Sequence, residues 1–453
     1  MKTKLLFSFF LFFVMIQNAQ SQWTYSNLSE PKYHMGAATI GNKAYFAGGY
    51  DKTKFMDKVE VYDVSTGTWE ISGKLSKARQ VIGGSASCKS KIFFAGGYDE
   101  NISYDNIDIY DTLTKEWSVA HLSVDRFSLS AISHGDTVMF AGGVQFKSDV
   151  NPVFKNTIDI YNSKTGVWTV DHLSIARMGM AASVVGDLAI FAGGMDYVAG
   201  GTNAFKTLNR VDIYNFSTKT WSIASLSQAR AYASAVTVGN KVIIAGGVTS
   251  LNNPTNRVDI YDASTGEWTT ATLSVARAGL ENAAVVAGKA YFVGGGTFTG
   301  SSFTAPSDYI DIYDPVNNTW SIDFLSQPVA SHSVVGAGNH LIVAGGKTVG
   351  ELIVKKVEIF KVPPTGITSN PMEDEFLKVY PNPVSEKITV EFPGWGQTTE
   401  GTVTIYGIAG QQFMSQEMLG LKSEIAVSNL PAGIYFIKLV STNQTGVGRF
   451  VKN

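Results

Sequence analysis

The chain has 453 residues, a formal net charge of −2, 45 glycines and one cysteine, Cys88. Near-balanced charge argues against nucleic acid or an anionic membrane as partner. A single cysteine excludes an internal disulfide framework and any cysteine-based zinc site. Glycine at about 10%, aromatics at 12% and scarce amphipathic helical patterns describe a β-rich chain with room for one large domain and a smaller one.

The N-terminus opens with Lys2 and Lys4, then an apolar run from Leu5 to Ile16, then small residues Ala19 and Ser21. This pattern is a secretory signal peptide over 1–21, since so short an apolar run cannot span a bilayer. No cysteine stands at the cleavage point, so a lipoprotein anchor is not expected.

From Gln22 onward one unit recurs. "VEVYDVSTGTW" (59–69) has an acid, a turn and a tryptophan, like the Asp-box S-x-D-x-G-x-T-W of sugar-cleaving enzymes. The register differs: Asp63 lies six positions before Trp69, where the box needs five. Copies follow as "IDIYDTLTKEW", "IDIYNSKTGVW", "VDIYNFSTKTW", "VDIYDASTGEW" and "IDIYDPVNNTW", and a seventh, "VEIFK" from 357, lacks the tryptophan. Each is preceded by an apolar run ending in two glycines, beginning at Gly48, Gly96, Gly142, Gly193, Gly246, Gly294 and Gly345, a period of 46 to 53 residues. Periods near 50 with four short strands per unit predict propeller blades.

The motif has physical reasons. Strands apolar on both faces suit blades sandwiched between neighbours. The glycines permit positive φ and close approach, and each tryptophan lays a flat ring between blades. "QWTYSNLSEP" (22–31) holds Trp23 and Leu28-Ser29 with nothing before them, so it reads as the missing outer strand of blade seven. Such closure leaves no unpaired edge at the seam. The unit resembles the kelch repeat, which implies an all-β, seven-bladed kelch-type β-propeller over 22–362, closed by an N-terminal strand.

After "KVPPTGITSNP" (361–371) the composition changes, and 363–376 reads as a linker. Alternating strands and Gly/Pro turns over 377–453 predict a small Ig-like β-sandwich. Its landmarks are Tyr380-Pro381-Asn382-Pro383, Ile405-Tyr406, Gly410, Leu430, Gly433-Ile434-Tyr435 and Lys452. They resemble the C-terminal sorting domain of type IX secretion substrates in Bacteroidota. That resemblance implies export by the type IX machinery, then surface attachment or release.

Candidate chemistry is sparse. Glu60, Asp108, Asp159, Asp212, Asp259, Asp311 and Glu358 recur once per repeat and so read as repeat residues, not catalysts. Of six histidines only His34 and His332, on adjacent blades, can converge, and without a third ligand they make a weak metal site. Cys88, placed in a hairpin turn, does not supply the cysteine and histidine set of kelch copper radical oxidases. A position after each Leu-Ser holds Arg79, Arg126, Arg177, Arg230 and Arg277, with Lys32 in blade one and Val329 in blade seven. These residues open the innermost strands, on the face that also bears the loops between second and third strands. Those loops are longest in blades three, four and six. The basic ring is either a ligand site for an anionic glycan or peptide, or a set of ties between blades. The expectation is an exported monomeric binding module for an extracellular glycan or protein, with no cofactor, metal or catalytic residue. The alternative is a sugar-active enzyme similar to sialic acid mutarotases.

Overall fold

The computed structural model describes residues 23–148, 150–197, 205–250, 253–279, 283–299, 302–362, 377–391, 400–407, 411–441 and 445–453. The expected signal peptide (1–21), the linker (363–376) and Gly410 lie outside them. The chain divides into two compact units, 1–368 and 369–453.

In the first unit the described residues form seven large sheets, each with a core of four antiparallel strands, and three two-stranded ones. Blade one is Gly36–Ile40, Lys43–Ala47, Lys58–Asp63 and Thr68–Lys74. Blades two to six span 85–121, 130–172, 181–225, 234–272 and 283–329 in the same order. The innermost strands lie side by side around a ring, and Ser333–Ala337 of blade seven packs against Gly36–Ile40 of blade one. The second strands, such as "KAYFA" and "KIFFA", are buried on both faces, whereas outer strands such as "EWSVAH" remain largely exposed. That gradient follows from the sandwiching of each sheet between two neighbours.

Each seam has its own apolar core. Phe93, Ile107, Phe140 and Tyr161 join blades two and three, and Ile190, Val211, Val242 and Ile244 join four and five. The outer-strand tryptophans of blades one to three pack tilted against the tyrosine beside them: Tyr62–Trp69 and Tyr110–Trp117 have ring centroids 5.0 Å apart, and Tyr161–Trp168 4.8 Å. An indole N–H reaches back one blade, as from Trp117 Nε1 to Ser72 O at 2.9 Å.

Blade seven completes its sheet with Trp23–Asn27, which pairs antiparallel with Lys356–Lys361, Trp23 opposite Phe360 and Asn27 opposite Lys356. Trp23 packs tilted against Phe360 at 4.9 Å, the aromatic pair that the seventh repeat cannot make from its own residues. Across the seam Trp69 Nε1 donates to Ser26 Oγ at 2.7 Å.

The second unit has a three-stranded sheet (Lys378–Tyr380, Lys387–Glu391, Lys422–Ala426) and a four-stranded one (Gln412–Leu419, Glu400–Gly407, Gly433–Ser441, Thr445–Lys452). They share a core that includes Ile388, Val390, Ile405, Ile437 and Phe450. Asn382 fastens the last strand: its Oδ1 accepts from Val451 N at 2.8 Å and its Nδ2 donates to Arg449 O at 3.3 Å.

Candidate functional site

The connector that enters each blade pairs with the loop between that blade's second and third strands: Tyr33 with Tyr50, Gln80 with Tyr98, Phe127 with Val144, Met178 with Met195, Ala231 with Val248, Ala278 with Gly296 and Ala330 with Lys347. One face of the ring therefore carries both sets of loops. In blades three to six the second-to-third loop adds a hairpin: 144–154, 195–207, 248–254 and 296–306. The sequence reading noted the long loops of blades three, four and six, and the structure adds blade five, where Val248–Ser250 pairs with Asn253–Pro254.

The basic ring does not face solvent. Arg79, Arg126, Arg177, Arg230 and Arg277 are at most 1% exposed, as is Lys32. Each guanidinium meets the recurrent acid of its own blade: Arg79–Asp108 at 2.8 Å, and Arg126–Asp159, Arg177–Asp212, Arg230–Asp259 and Arg277–Asp311 at 2.6 Å. Main-chain carbonyls take further donors, as Arg79 Nε to Gly96 O at 2.6 Å and Nη2 to Phe94 O at 3.1 Å, while Nε of the other four arginines has no partner. The backbone of the same residue is held by the preceding blade, since Gly49 N donates to Arg79 O at 2.9 Å and Arg79 N to Met56 O at 3.1 Å. The acid's other oxygen accepts the connector amide, Ser76 N to Asp108 Oδ1 at 2.7 Å. Each arginine is thus a clasp, with main chain on one blade and side chain on the next. A Cβ on Gly48 would lie 2.5 Å from Arg79 O, so the double glycine is what lets this connector approach.

Burial pushes these arginines below their ordinary value while the partner carboxylates oppose the shift. In blade one Lys32, also lowered by burial, pairs with Glu60, so the cation with fewer donors meets the longer acid. In blade seven, where Val329 replaces the arginine, Glu358 takes Ser326 N at 3.0 Å, Ser326 Oγ at 2.6 Å and Lys356 at 3.4 Å. Of the two readings of the basic ring, this geometry is that of ties between blades: the cations are turned away from solvent and into the sheet, each toward its acid.

At the ring axis, beside the connectors, lies a cavity of about 190 Å³ lined by His34, Ser85, Ser128, Ser130, Tyr232 and His332 among others. The two histidines the sequence singled out do line one cavity. His34 Nδ1 is 2.6 Å from Gln80 Oε1, and burial lowers both imidazoles to about 4, so both are neutral at pH 7. Among the described residues no group of three or more histidine, cysteine, aspartate or glutamate side chains is placed to hold a metal. Cys88 is buried, with its thiol near Gly135 O at 3.4 Å.

Half-buried aromatic rings lie on the loop face, which the sequence reading did not single out. Tyr50 stacks on Phe55 at 4.3 Å and 12°, and Tyr98 on Phe127 at 4.2 Å and 28°. Phe154, Tyr197 and Phe205 form a further group, and Phe154, Phe205, Met178 and Tyr232 rim a small apolar cluster spanning blades three to six. Tyr50 Oη donates to Glu100 at 2.6 Å, a bond that pushes the phenol up to about 12. A signal was available in the tyrosine that follows the double glycine in "GGY" of blades one and two.

Comparison with known proteins accords with this architecture. Residues 128–346 match the KLHDC2/KLHL20/DRC7 Kelch-repeats domain, residues 31–76 and 83–120 the Kelch motif, and residues 378–453 the secretion system C-terminal sorting domain. No curated protein matches the chain. Among solved structures, that described as "Structure of YjhT" is similar at 17% identity and a TM-score of 0.50, covering 76% of this chain and 98% of its own. At that identity the likeness concerns the fold. The chain thus carries kelch repeats within 31–346 and a type IX sorting domain over 378–453.

Proposed function

We propose that this is an exported glycan-binding propeller, delivered by residues 1–21 and 377–453 and contacting its ligand through the loop face. The sorting domain supports secretion or surface display by the type IX system. The observation that carries the binding reading is the pair of stacked platforms, Tyr50–Phe55 and Tyr98–Phe127, on the loop face. Flat apolar rings with polar edges suit the apolar faces of sugar rings, and a concave site with few polar groups sets their orientation. The buried arginines hold the blades that present this face and make no ligand contact of their own.

The test is a glycan array probed with the purified protein, followed by titration of the best hit. Tyr50→Ala with Phe127→Ala should weaken binding at least tenfold while leaving thermal stability within a few degrees. Retained affinity in that double variant would place the ligand elsewhere. A second reading, a sugar-active enzyme, is favoured by the two neutral imidazoles on the axial cavity. Turnover of sialic acid anomers or polysaccharide by the wild-type chain, lost in His34→Ala, would select it over simple binding.

A further inference from the structure

Blade seven departs from the other blades at two positions that meet the same seam. The first is Val329, which leaves the connector between blades six and seven without a guanidinium clasp. The second is His332. Three residues after the clasp position the other blades place apolar side chains such as Met35, Leu129 and Met180, which fill the space over a neighbouring double glycine. Met180 Cε lies 2.6 Å from where a Cβ on Gly142 would stand, and Met35 Cε 2.9 Å from that on Gly345. His332 fills the corresponding slot over Gly294, its Cε1 2.6 Å from the same virtual position. It is 6% exposed, neither ring nitrogen makes a well-formed hydrogen bond, and the one acceptor acting on the ring is the Val293 carbonyl.

We propose that His332 makes the seam between blades six and seven an acid-labile joint, closed when the imidazole is neutral and opened by its protonation. Burial and the nearby Arg277 both oppose a positive charge in the slot, and the Val293 carbonyl alone favours it. From blade six, Arg277 faces it, is itself a cation, and is paired with Asp311. From blade seven, the carboxylate of Glu358 is engaged by Ser326 and Lys356. On the blade-one side of the cavity His34 is bonded to Gln80, with Lys347 the charge acting on it. An unpaired charge in such a slot is costly, so protonation favours separation of the blades and entry of water. Blade six is also the blade whose clasp is least tied, since Arg277 Nε and Nη1 have no partner.

The sign follows from linkage. Burial lowers His332 from 6.5 to about 4, so the closed state binds fewer protons than the opened one between those values. Stability is therefore fully present above pH 6.5 and is lost as pH falls toward 4, where the open fraction of this seam rises roughly 100-fold over its value at pH 7.

The experiment is hydrogen exchange on the full chain at pH 7 and pH 4.5, corrected for intrinsic rates, with His332→Met as comparison. The amide of Gly295, which bonds across the seam to Val329 O at 3.0 Å, should lose protection at low pH ahead of Gly194, bonded to Arg230 O at 2.9 Å. His332→Met, which copies blades one and four, should retain Gly295 protection at pH 4.5. Equal loss at the two amides, or loss at Gly295 unchanged by the substitution, would overturn the proposal. Should the variant fail to fold, proton NMR of the wild type decides it: a His332 resonance titrating near 6.5 in the folded chain refutes it, and one titrating near 4 supports it.

Discussion

Replacing Arg177 by alanine isolates the energetics of one clasp. The side chain is fully buried, meets Asp212 at 2.6 Å, and donates to Ile175 O at 3.1 Å and Phe191 O at 3.2 Å. Its removal leaves a buried carboxylate held only by Ser174 N at 3.3 Å, together with two carbonyls short of a donor. Breaking a buried pair from one side costs about 3–5 kcal/mol, a large share of the roughly 5–15 kcal/mol that holds a domain folded. Asp212→Leu alone should also destabilise, by leaving the guanidinium unpaired. Arg177→Ala with Asp212→Leu should cost less than the sum of the singles, with a coupling of about 2 kcal/mol. Urea unfolding followed by tryptophan fluorescence, with Trp221 on the same blade as reporter, yields all three values. Raising salt to 1 M should leave the coupling nearly unchanged, because a buried pair is weakly screened. A loss below about 1 kcal/mol in Arg177→Ala, the range of exposed pairs, would refute the clasp. So would a coupling that vanishes in salt.

Removing 23–29 should destabilise the whole ring, because it strips Trp23 from Phe360, opens the edge of Lys356–Lys361 and orphans Trp69 Nε1; a thermal midpoint lower by 10 °C or more, with new oligomers in size-exclusion chromatography, is the expected outcome. A chain ending at Val362 should fold its propeller but fail to reach the surface or medium of a host with type IX secretion, measured by fractionation; efficient delivery would contradict the role assigned to the sorting domain.

The period of the double glycines and the tryptophans made the blades legible in the sequence, because each repeat must bury the same residues against its neighbours. The closing role of "QWTYSNLSEP" was legible too, since the seventh repeat lacks the tryptophan that this segment carries. The site was read less well. Arginine and acid were both visible as recurrent, but Arg79 and Asp108 are 29 positions apart and Arg177 and Asp212 are 35, so loop insertions hide the one-to-one pairing. The sole blade without the cation, with Val329, was the clue that cation and acid are handled together, for there Lys356 attends Glu358.

The sequence by itself determined what repeats: strand order, blade length, the turn residues and the seam that the N-terminus must fill, all of which follow from local patterning and repeated burial. Only the tertiary structure decided which way the side chains face. A guanidinium after Leu-Ser can reach solvent or fold into its own blade, and the choice depends on an acid delivered by a distant strand and on carbonyls exposed by the double glycine. The loop face was settled in the same way. Aromatic residues scattered through seven connectors and seven loops become platforms only when ring closure sets neighbouring blades side by side.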